Sequence, residues 1–517
     1  MKNREIEASW KYHNGTKHSS QSVRLNRHYL DWENRPLPLK IYSDLAPVPL
    51  PEDLSSSGVP ALSAIAGTPL KPGATLTCQF LAEILFLSAG ITRRRNYPGG
   101  AMLFRAAACT GALYHVDLYV VCGDLEDLAA GVYQFSPQDF SLRCLRAGNY
   151  RSVLVHASGG EPAVSQASCV IVSASTFWRN AWKYQARAYR HCYWDNGTIL
   201  ANLLAAAAAR RIPSKLILGF IDAKVSELFA LDNRREAPLS LVALGRLPTG
   251  NIEAPPSVES LTLATEPLSK SEVDYPAMRA MHEASSLENE SEVRAWREGI
   301  EKSKGEGVKD NHNRKGIFAL QPSSDDKGSL DTIEDVIMRR GSTREFSREP
   351  IAFAQLSTVL DRATRGIDAD FLAAAGSPVN EIYLIVHAVE GLAPGSYVFR
   401  RDKRALELLR AGNFRGEAGH LGLDQDIPAD CSVNVYFLTD LGKVLARFGN
   451  RGYRAAQLEA AIMGGKIYLA AYAQRLGASG LTFYDDEVTE FFSPDAAGKS
   501  VMFLVALGKK LKTSRAT

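Results

Sequence analysis

Arg339, Arg340 and Arg344 fall within six residues of one another, in the run Arg339-Arg340-Gly341-Ser342-Thr343-Arg344-Glu345-Phe346. Guanidinium groups form charge-assisted, bidentate hydrogen bonds, and Ser342 and Thr343 add neutral donors. This donor set suits a dianionic phosphate, although a solvated basic turn has the same composition. Metal chemistry is not signalled. Seven cysteines and ten histidines occur, but none of the cysteines forms a CxxC pair, so neither a zinc ribbon nor a thioredoxin-like dithiol is expected. His191 stands without a partner at ligand spacing and reads as structural. Asp195 and Asp222 read as solvated or capping residues.

The 517 residues are 45% hydrophobic and 23% charged, the balance of a folded globular protein. Sixty basic and 57 acidic residues leave a net charge of +3. So small an excess provides no global field for nucleic acid, and any anion site must be local. The first seven residues are polar, and the longest apolar stretch, residues 199–209, is broken by Asn202. Neither a secretion signal nor a membrane span of ~18 apolar residues is expected. A cytoplasmic protein with reduced, buried thiols is expected, with no membrane and no nucleic-acid partner.

The elements that must position the arginines occur twice. Gly131-Val132-Tyr133-Gln134-Phe135 recurs as Gly395-Ser396-Tyr397-Val398-Phe399. Leu145-Arg146-Ala147-Gly148-Asn149 recurs as Leu409-Arg410-Ala411-Gly412-Asn413, and Ala188-Tyr189-Arg190 as Gly452-Tyr453-Arg454, all at an offset of 264 residues. Leu241-Val242-Ala243-Leu244-Gly245 matches Leu504-Val505-Ala506-Leu507-Gly508 at an offset of 263. A near-constant offset over this distance means two copies of one domain. The expected boundaries are an N-terminal extension over 1–54, a first domain over 55–248, a linker over 249–329 and a second domain over 330–517. Helical spacing in the linker predicts one helix over 275–300.

Each copy reads as a helix (80–89; 353–364), a small-residue loop and a strand (116–121; 381–387). A hairpin opening at Gly131 or Gly395 follows, then a β-branched strand (168–173; 432–438). A long Ala-rich helix (186–210; 455–476) and a last strand (240–244; 501–507) close the copy. Hairpins among helices indicate an α+β fold rather than a doubly wound sheet. No GxGxxG follows the first strand, so no Rossmann nucleotide site is signalled.

Arg-Arg-x-Ser-x-Arg-x-Phe at the head of an α+β domain resembles the FMN phosphate motif of the nitroreductase superfamily. Tyr12-His13-Asn14-Gly15-Thr16-Lys17-His18-Ser19 with Leu30-Asp31-Trp32, the loop Arg105-Ala106-Ala107-Ala108-Cys109-Thr110-Gly111-Ala112-Leu113-Tyr114, and Trp182-Lys183-Tyr184 resemble the SagB/ThcOx-type dehydrogenases, which include azoline oxidases. The resemblance implies a four- to five-stranded antiparallel sheet wrapped by helices. It implies FMN bound at an interface between two such units, here two copies forming a pseudo-dimer within one chain. Arg339, Arg340, Ser342 and Arg344 would hold the phosphate, with Lys509 and Lys510 nearby. Ala108, Cys109, Thr110, Gly111 and Ala112 would form the loop against the cofactor. Leu481 and Thr482 would approach flavin N5, and Gln457 would reach the ring. Lys183 and Tyr184 would be catalytic, although a Lys-Tyr pair on a helix is ordinarily one solvated and one half-buried residue.

The copies differ in complementary ways. The first, at Ala61-Leu62-Ser63-Ala64-Ile65-Ala66-Gly67, lacks the arginine motif; the second carries Arg447-Phe448 opposite Lys183-Tyr184, and its loop Ala373-Ala374-Ala375-Gly376-Ser377-Pro378 has drifted. One complete site and one degenerate site follow. The expected activity is two-electron dehydrogenation of an azoline-like heterocycle or related C–N substrate, a small molecule or a peptide. Flavin would be reoxidised by O₂ or another acceptor. Lys183 would favour the Tyr184 phenolate as base. NAD(P)H-dependent nitro or quinone reduction and a non-catalytic flavin-binding scaffold are the alternatives.

Overall fold

The computed structural model describes residues 2–67, 73–97, 100–246, 254–298, 316–324, 331–372 and 378–511. Two seven-stranded sheets carry the architecture. In the first, the strand order is Pro47–Pro49, Ser141–Ala147, Gly131–Ser136, Val116–Cys122, Cys169–Thr176, Glu236–Leu244 and Ser214–Ile217. The second has the same order: Ile317–Ala319, Ala405–Ala411, Gly395–Arg400, Glu381–Val386, Val433–Thr439, Ser500–Gly508 and Gly477–Leu481. All neighbours pair antiparallel. Even the hairpin irregularity recurs, between Val132 and Tyr133 and between Ser396 and Tyr397. The two-copy α+β reading holds, but each sheet has seven strands rather than four or five. One extra strand in each comes from outside the copies as the repeats bounded them: 47–49 and 317–319 pair with the far hairpin strand.

The long helices Ala188–Ala209 and Arg451–Ala473 pack against each other across the pseudo-dyad, and nearly every residue on both is buried. Small residues set their separation. A Cβ on Gly197 would lie 2.4 Å from the Ala461 Cβ, and one on Gly465 would lie 2.6 Å from the Ala201 Cβ. Both contacts join residues 264 apart, so each lies on the pseudo-dyad itself. Packing this close leaves no room even for a methyl group.

Two buried arginine clamps lock the halves together. Arg187 and Arg190, on the first long helix and the turn before it, reach Asp485 of the second half. Arg451 and Arg454 reach Asp222 of the first at 2.6 Å each. Asp222 is therefore neither solvated nor a simple cap. Burial alone would raise its carboxyl pKa, but the two guanidiniums outweigh that and hold it at about 2.

The pseudo-symmetry reaches into the extension and the linker. Arg190 donates to the His13 carbonyl at 2.7 Å and the Thr16 hydroxyl at 3.1 Å; Arg454 donates to the His282 carbonyl at 2.7 Å and the Ser285 hydroxyl at 2.8 Å. The helices Glu7–Gly15 and Pro276–Ala284, each with the residue that ends it, Thr16 or Ser285, thus meet the two long helices alike. The expected helix over 275–300 is two helices, Pro276–Ala284 and Glu290–Glu298. The break has a cause: Arg451 takes the Ser285 carbonyl at 3.0 Å and Asp222 takes the Leu287 N–H at 3.2 Å, so this backbone is committed to the clamp.

Candidate active site

The loop after Arg105 is pinned from beneath by Asp195. One carboxylate oxygen accepts the Thr110 N–H at 2.9 Å and the Thr110 hydroxyl at 2.8 Å. The other accepts His115 Nε2–H at 2.8 Å and the Cys109 thiol at 3.1 Å. Asp195 is buried, not solvated or capping as its sequence context suggested. Burial first, and then this carboxylate, push the Cys109 thiol pKa well up, so Cys109 is a neutral donor rather than a reactive thiolate. The turn is tight: Gly111, Ala112 and Tyr114 have φ of +65°, +53° and +46°. Glycine at 111 also makes room for a phenol, because a Cβ there would lie 2.8 Å from the Tyr184 hydroxyl.

Tyr184 closes the helix Phe177–Tyr184, and the chain breaks direction at Gln185, φ +51°. The break turns the Tyr184 ring onto His191, centroids 4.6 Å apart and edge to face. His191 is tied to the Asn180 side chain at 2.7 Å and also lines the cavity described below, beyond the purely structural place its sequence context suggested. Lys183 is exposed, its ammonium 5.4 Å from the Tyr184 ring centroid. Burial and then the Asp195 charge push the Tyr184 phenol pKa above its ordinary value, against a smaller opposing pull from Arg344. The expected phenolate is therefore not the resting state. Lys183 sits over the ring in solvent, where its charge is screened, while the hydroxyl faces a carboxylate.

The second half supplies the opposite wall. Ser342 and Arg344 follow the helix Ile333–Arg339 and are held in line by Thr343, whose N–H donates to the Ala478 carbonyl at 2.9 Å. Tyr468, on the second long helix, accepts the Gly480 N–H and lies 3.3 Å from the Ser342 hydroxyl. Leu481 and Thr482 follow. The two walls enclose a cavity of about 430 Å³, which His18 of the N-terminal segment also lines. That volume lies within the range of small-molecule sites.

Ala108, Cys109, Thr110, Gly111, Lys183, Tyr184, Ser342, Arg344, Leu481 and Thr482 all line this cavity. Other named residues stand elsewhere. Arg339 pairs with Asp331 at 2.7 Å and donates to the Tyr472 carbonyl at 2.9 Å. Arg340 crosses to the first half and donates to the Ala106 and Arg105 carbonyls at 2.9 and 3.3 Å, tying the loop from behind. Gln457 accepts from the Trp194 indole at 2.5 Å, so it supports a lining residue instead of lining the cavity. Lys509 lies 3.4 Å from Glu349, and the Lys510 ammonium lies 3.8 Å from the Tyr472 ring centroid. Ala112 forms the turn. Sequence reasoning missed Trp194, Thr198, Tyr468 and Phe503 as lining residues. Trp194 and Thr198 lie ten and fourteen residues after Tyr184, on a helix already placed beside the site.

The equivalent position across the pseudo-dyad is filled by the chain itself. Leu218 and Gly219 correspond to Leu481 and Thr482. Their N–H groups donate to the Asp370 carboxylate at 2.7 and 2.9 Å. Trp296, fully buried, packs on Gly219 and on Phe448, with ring centroids 5.3 Å apart. Arg297 seals the edge through Asp370 at 3.2 Å. Ala373 to Ser377 of the drifted loop lie outside the described residues.

The Nitroreductase family model matches residues 86–246 and 337–509. An assigned nitroreductase of Methanocaldococcus jannaschii is 25% identical over 171 residues, 33% of this chain and 81% of that protein. The microcin B17-processing protein McbC of Escherichia coli is 26% identical over 162 residues, 29% of this chain and 54% of McbC. The crystal structure of an assigned nitroreductase from Anabaena variabilis aligns with a TM-score of 0.77 at 26% identity, covering 97% of this chain and 99% of that one. Each half of the sequence is matched by the family, and the whole two-sheet arrangement has a counterpart of the same extent: the chain belongs to the nitroreductase family.

Proposed function

We propose that the protein is an FMN-dependent oxidoreductase of the SagB/ThcOx type, with one active site per chain, acting on an azoline-like ring or a related C–N bond. The observation that carries this reading is the shared cavity, which joins Ser342 and Arg344 of one half to the loop and Tyr184 of the other. The residues present fit the cofactor. Arg344 forms no ion pair with a described residue and remains available to a phosphate, and the buried Thr482 hydroxyl has no partner of its own. FMN, when bound, would supply a two-electron acceptor for hydride. The likeness to McbC, a microcin-processing protein, supports a peptide as substrate.

The chain's own part is binding and proton handling. Ser342 and Arg344 anchor the phosphate, the Asp195-pinned loop and Trp194 wall the site, and Tyr184 takes the substrate proton as its phenolate. The raised phenol pKa makes that form scarce at neutral pH: an unperturbed Tyr at ~10 is already only about 0.1% ionised at pH 7. The same fact favours a second reading, nitro or quinone reduction with NAD(P)H as donor, in which the neutral phenol gives its proton to the product. Rate against pH separates the two. Dehydrogenation through a phenolate should rise about tenfold per pH unit from pH 6 to 9 without a plateau. Reduction through a neutral phenol should stay flat over the same range.

FMN titration tests the site itself. Parent protein is expected to bind one FMN per chain, because Trp296 and Asp370 fill the second position. Arg344→Ala should weaken binding roughly tenfold to a hundredfold, the worth of one or two charged hydrogen bonds. Two FMN per chain, or unchanged affinity in Arg344→Ala, would place the cofactor elsewhere.

A further inference from the structure

The two halves differ in one large element besides the arginine motif. Between the helix Cys78–Ala89 and the strand starting at Val116 the first half has 26 residues; between Phe353–Ala363 and Glu381 the second has 17. The first half folds its additional length into an antiparallel ribbon, Ile91–Tyr97 with Gly100–Arg105. No such ribbon occurs among the described residues of the second half's segment. The half that keeps the loop of the active site is thus the half that has the ribbon.

The ribbon is basic, and Arg95 lies over the Phe104 ring, 5.9 Å from the centroid. Arg93, Arg94 and Arg95 are all exposed, and none forms an ion pair with a described residue. Three adjacent cations stand out in a chain whose net charge is +3. Alternation sends Arg93 and Arg95 to one face, opposite Phe104 and Met102, and Arg94 to the other, opposite Leu103. On that second face an open groove of about 610 Å³ is lined by Arg94, Leu103, Phe86 and Phe140, with Glu52 and Asp139 also at its wall. Asp139 is neutralised by Arg143. The backbone of residues 93–97 makes no described hydrogen bond outside the ribbon's own ladder, so the ribbon's outer edge can accept another strand. Positive charge on this edge repels a second copy of the same ribbon and favours a strand of opposite sign.

The ribbon is also joined to the cavity. Its last residue, Arg105, and the next, Ala106, offer the carbonyls that Arg340 holds, and the lining residues Ala108 to Gly111 follow at once. A chain paired along the ribbon would run toward the rim of the site.

We propose that the ribbon of Ile91–Tyr97 and Gly100–Arg105 docks an acidic, extended segment of the polypeptide on which the enzyme acts. The segment pairs with the free edge, its carboxylates meet Arg93, Arg94 and Arg95, and an adjoining stretch is presented to the cavity. This rests on the reading of a peptide substrate given above. Its chemistry is strand addition with charge selection: main-chain bonds supply affinity, and the arginines supply sign.

Fluorescence anisotropy with a labelled twelve-residue peptide alternating Glu and Val tests it, using FMN-loaded full-length protein. The parent is expected to bind this peptide, and to bind neither the Lys-Val counterpart nor a Glu-Val peptide N-methylated at alternate residues. The triple change Arg93→Glu, Arg94→Glu, Arg95→Glu should weaken binding at least about tenfold while leaving FMN content at the parental value. Undiminished binding by the triple variant would overturn the proposal. So would equal binding of the N-methylated peptide, or of a single-stranded oligonucleotide of the same charge, since either would mean a charge patch without strand pairing. FMN content is read on the same samples. Failure of the parent to bind the peptide while it holds FMN condemns the ribbon alone, and peptide binding by a chain that holds no FMN condemns the cofactor reading alone.

Discussion

Tyr184→Phe is expected to keep its fold and its FMN and to lose turnover by roughly 10²–10⁴-fold, the span of general acid–base catalysis. The substitution removes one hydroxyl and nearly preserves volume. The other half already holds Phe448 at the equivalent position, packed against Trp296. The proposed phosphate anchors, Ser342 and Arg344, lie on the opposite wall and are untouched. Stopped-flow measurement of flavin reduction by substrate is the direct readout. Reduction by dithionite should proceed at the parental rate, since it needs no proton from the substrate. The pH dependence of the residual rate gives a second check. If Tyr184 carries the proton, the tenfold-per-unit slope of the parent must vanish in the variant. Full activity in Tyr184→Phe would reduce the Lys-Tyr pair to a packing feature.

Asp485→Asn should be strongly destabilising. It leaves Arg187 and Arg190 buried without their counter-charge, and breaking one side of a buried pair costs about 3–5 kcal/mol. The measurement is the urea unfolding midpoint at pH 7, and a midpoint within error of the parent would remove the clamp from the account of stability. Acid should act on the parent in the same way. Burial favours the neutral form of Asp485, but Arg187 and Arg190 outweigh it and hold the carboxyl well below the usual range; Asp222 is held at about 2. Folded pKa values below the unfolded ~3.9 mean that the clamps contribute fully above about pH 5, and that their contribution fades as pH falls toward 2. In Asp485→Asn that acid sensitivity should be smaller.

The hairpins, the long helices and the last strands were legible because they repeat with their apolar patterns intact. The extension and the linker were not. His13 and His282, or Thr16 and Ser285, do equivalent work, but the helices around them share almost no other residue type. Their kinship lies in which carbonyl and hydroxyl face the arginines, which no pattern of hydrophobicity records. Asp195 was misread for a different reason. An acid on an Ala-rich helix was treated as surface, yet this helix is buried along nearly its whole length, and a buried acid must be paired. The signal was present: Glu459 stands 264 residues on and does the same work, accepting the Val379 and Asn380 N–H groups at 3.0 and 2.8 Å. Lys183 and Tyr184 could be named from their setting. The protonation of Tyr184 could not, because it depends on a carboxylate eleven residues away that folding brings beside it.

Fusing the two halves alters how the cavity responds to dilution. A site divided between separate subunits disappears as their concentration falls below the dissociation constant of the pair, whereas tethered partners see each other at an effective concentration that dilution does not change. The walls bearing Arg344 and Tyr184 should therefore stay assembled at nanomolar protein, where only the supply of FMN would limit occupancy. The fusion also lifts the constraint of an isologous interface, in which every substitution enters both sites at once. Phe448 and Trp296 could close one position while Tyr184 kept the other open, a division that two identical chains cannot make.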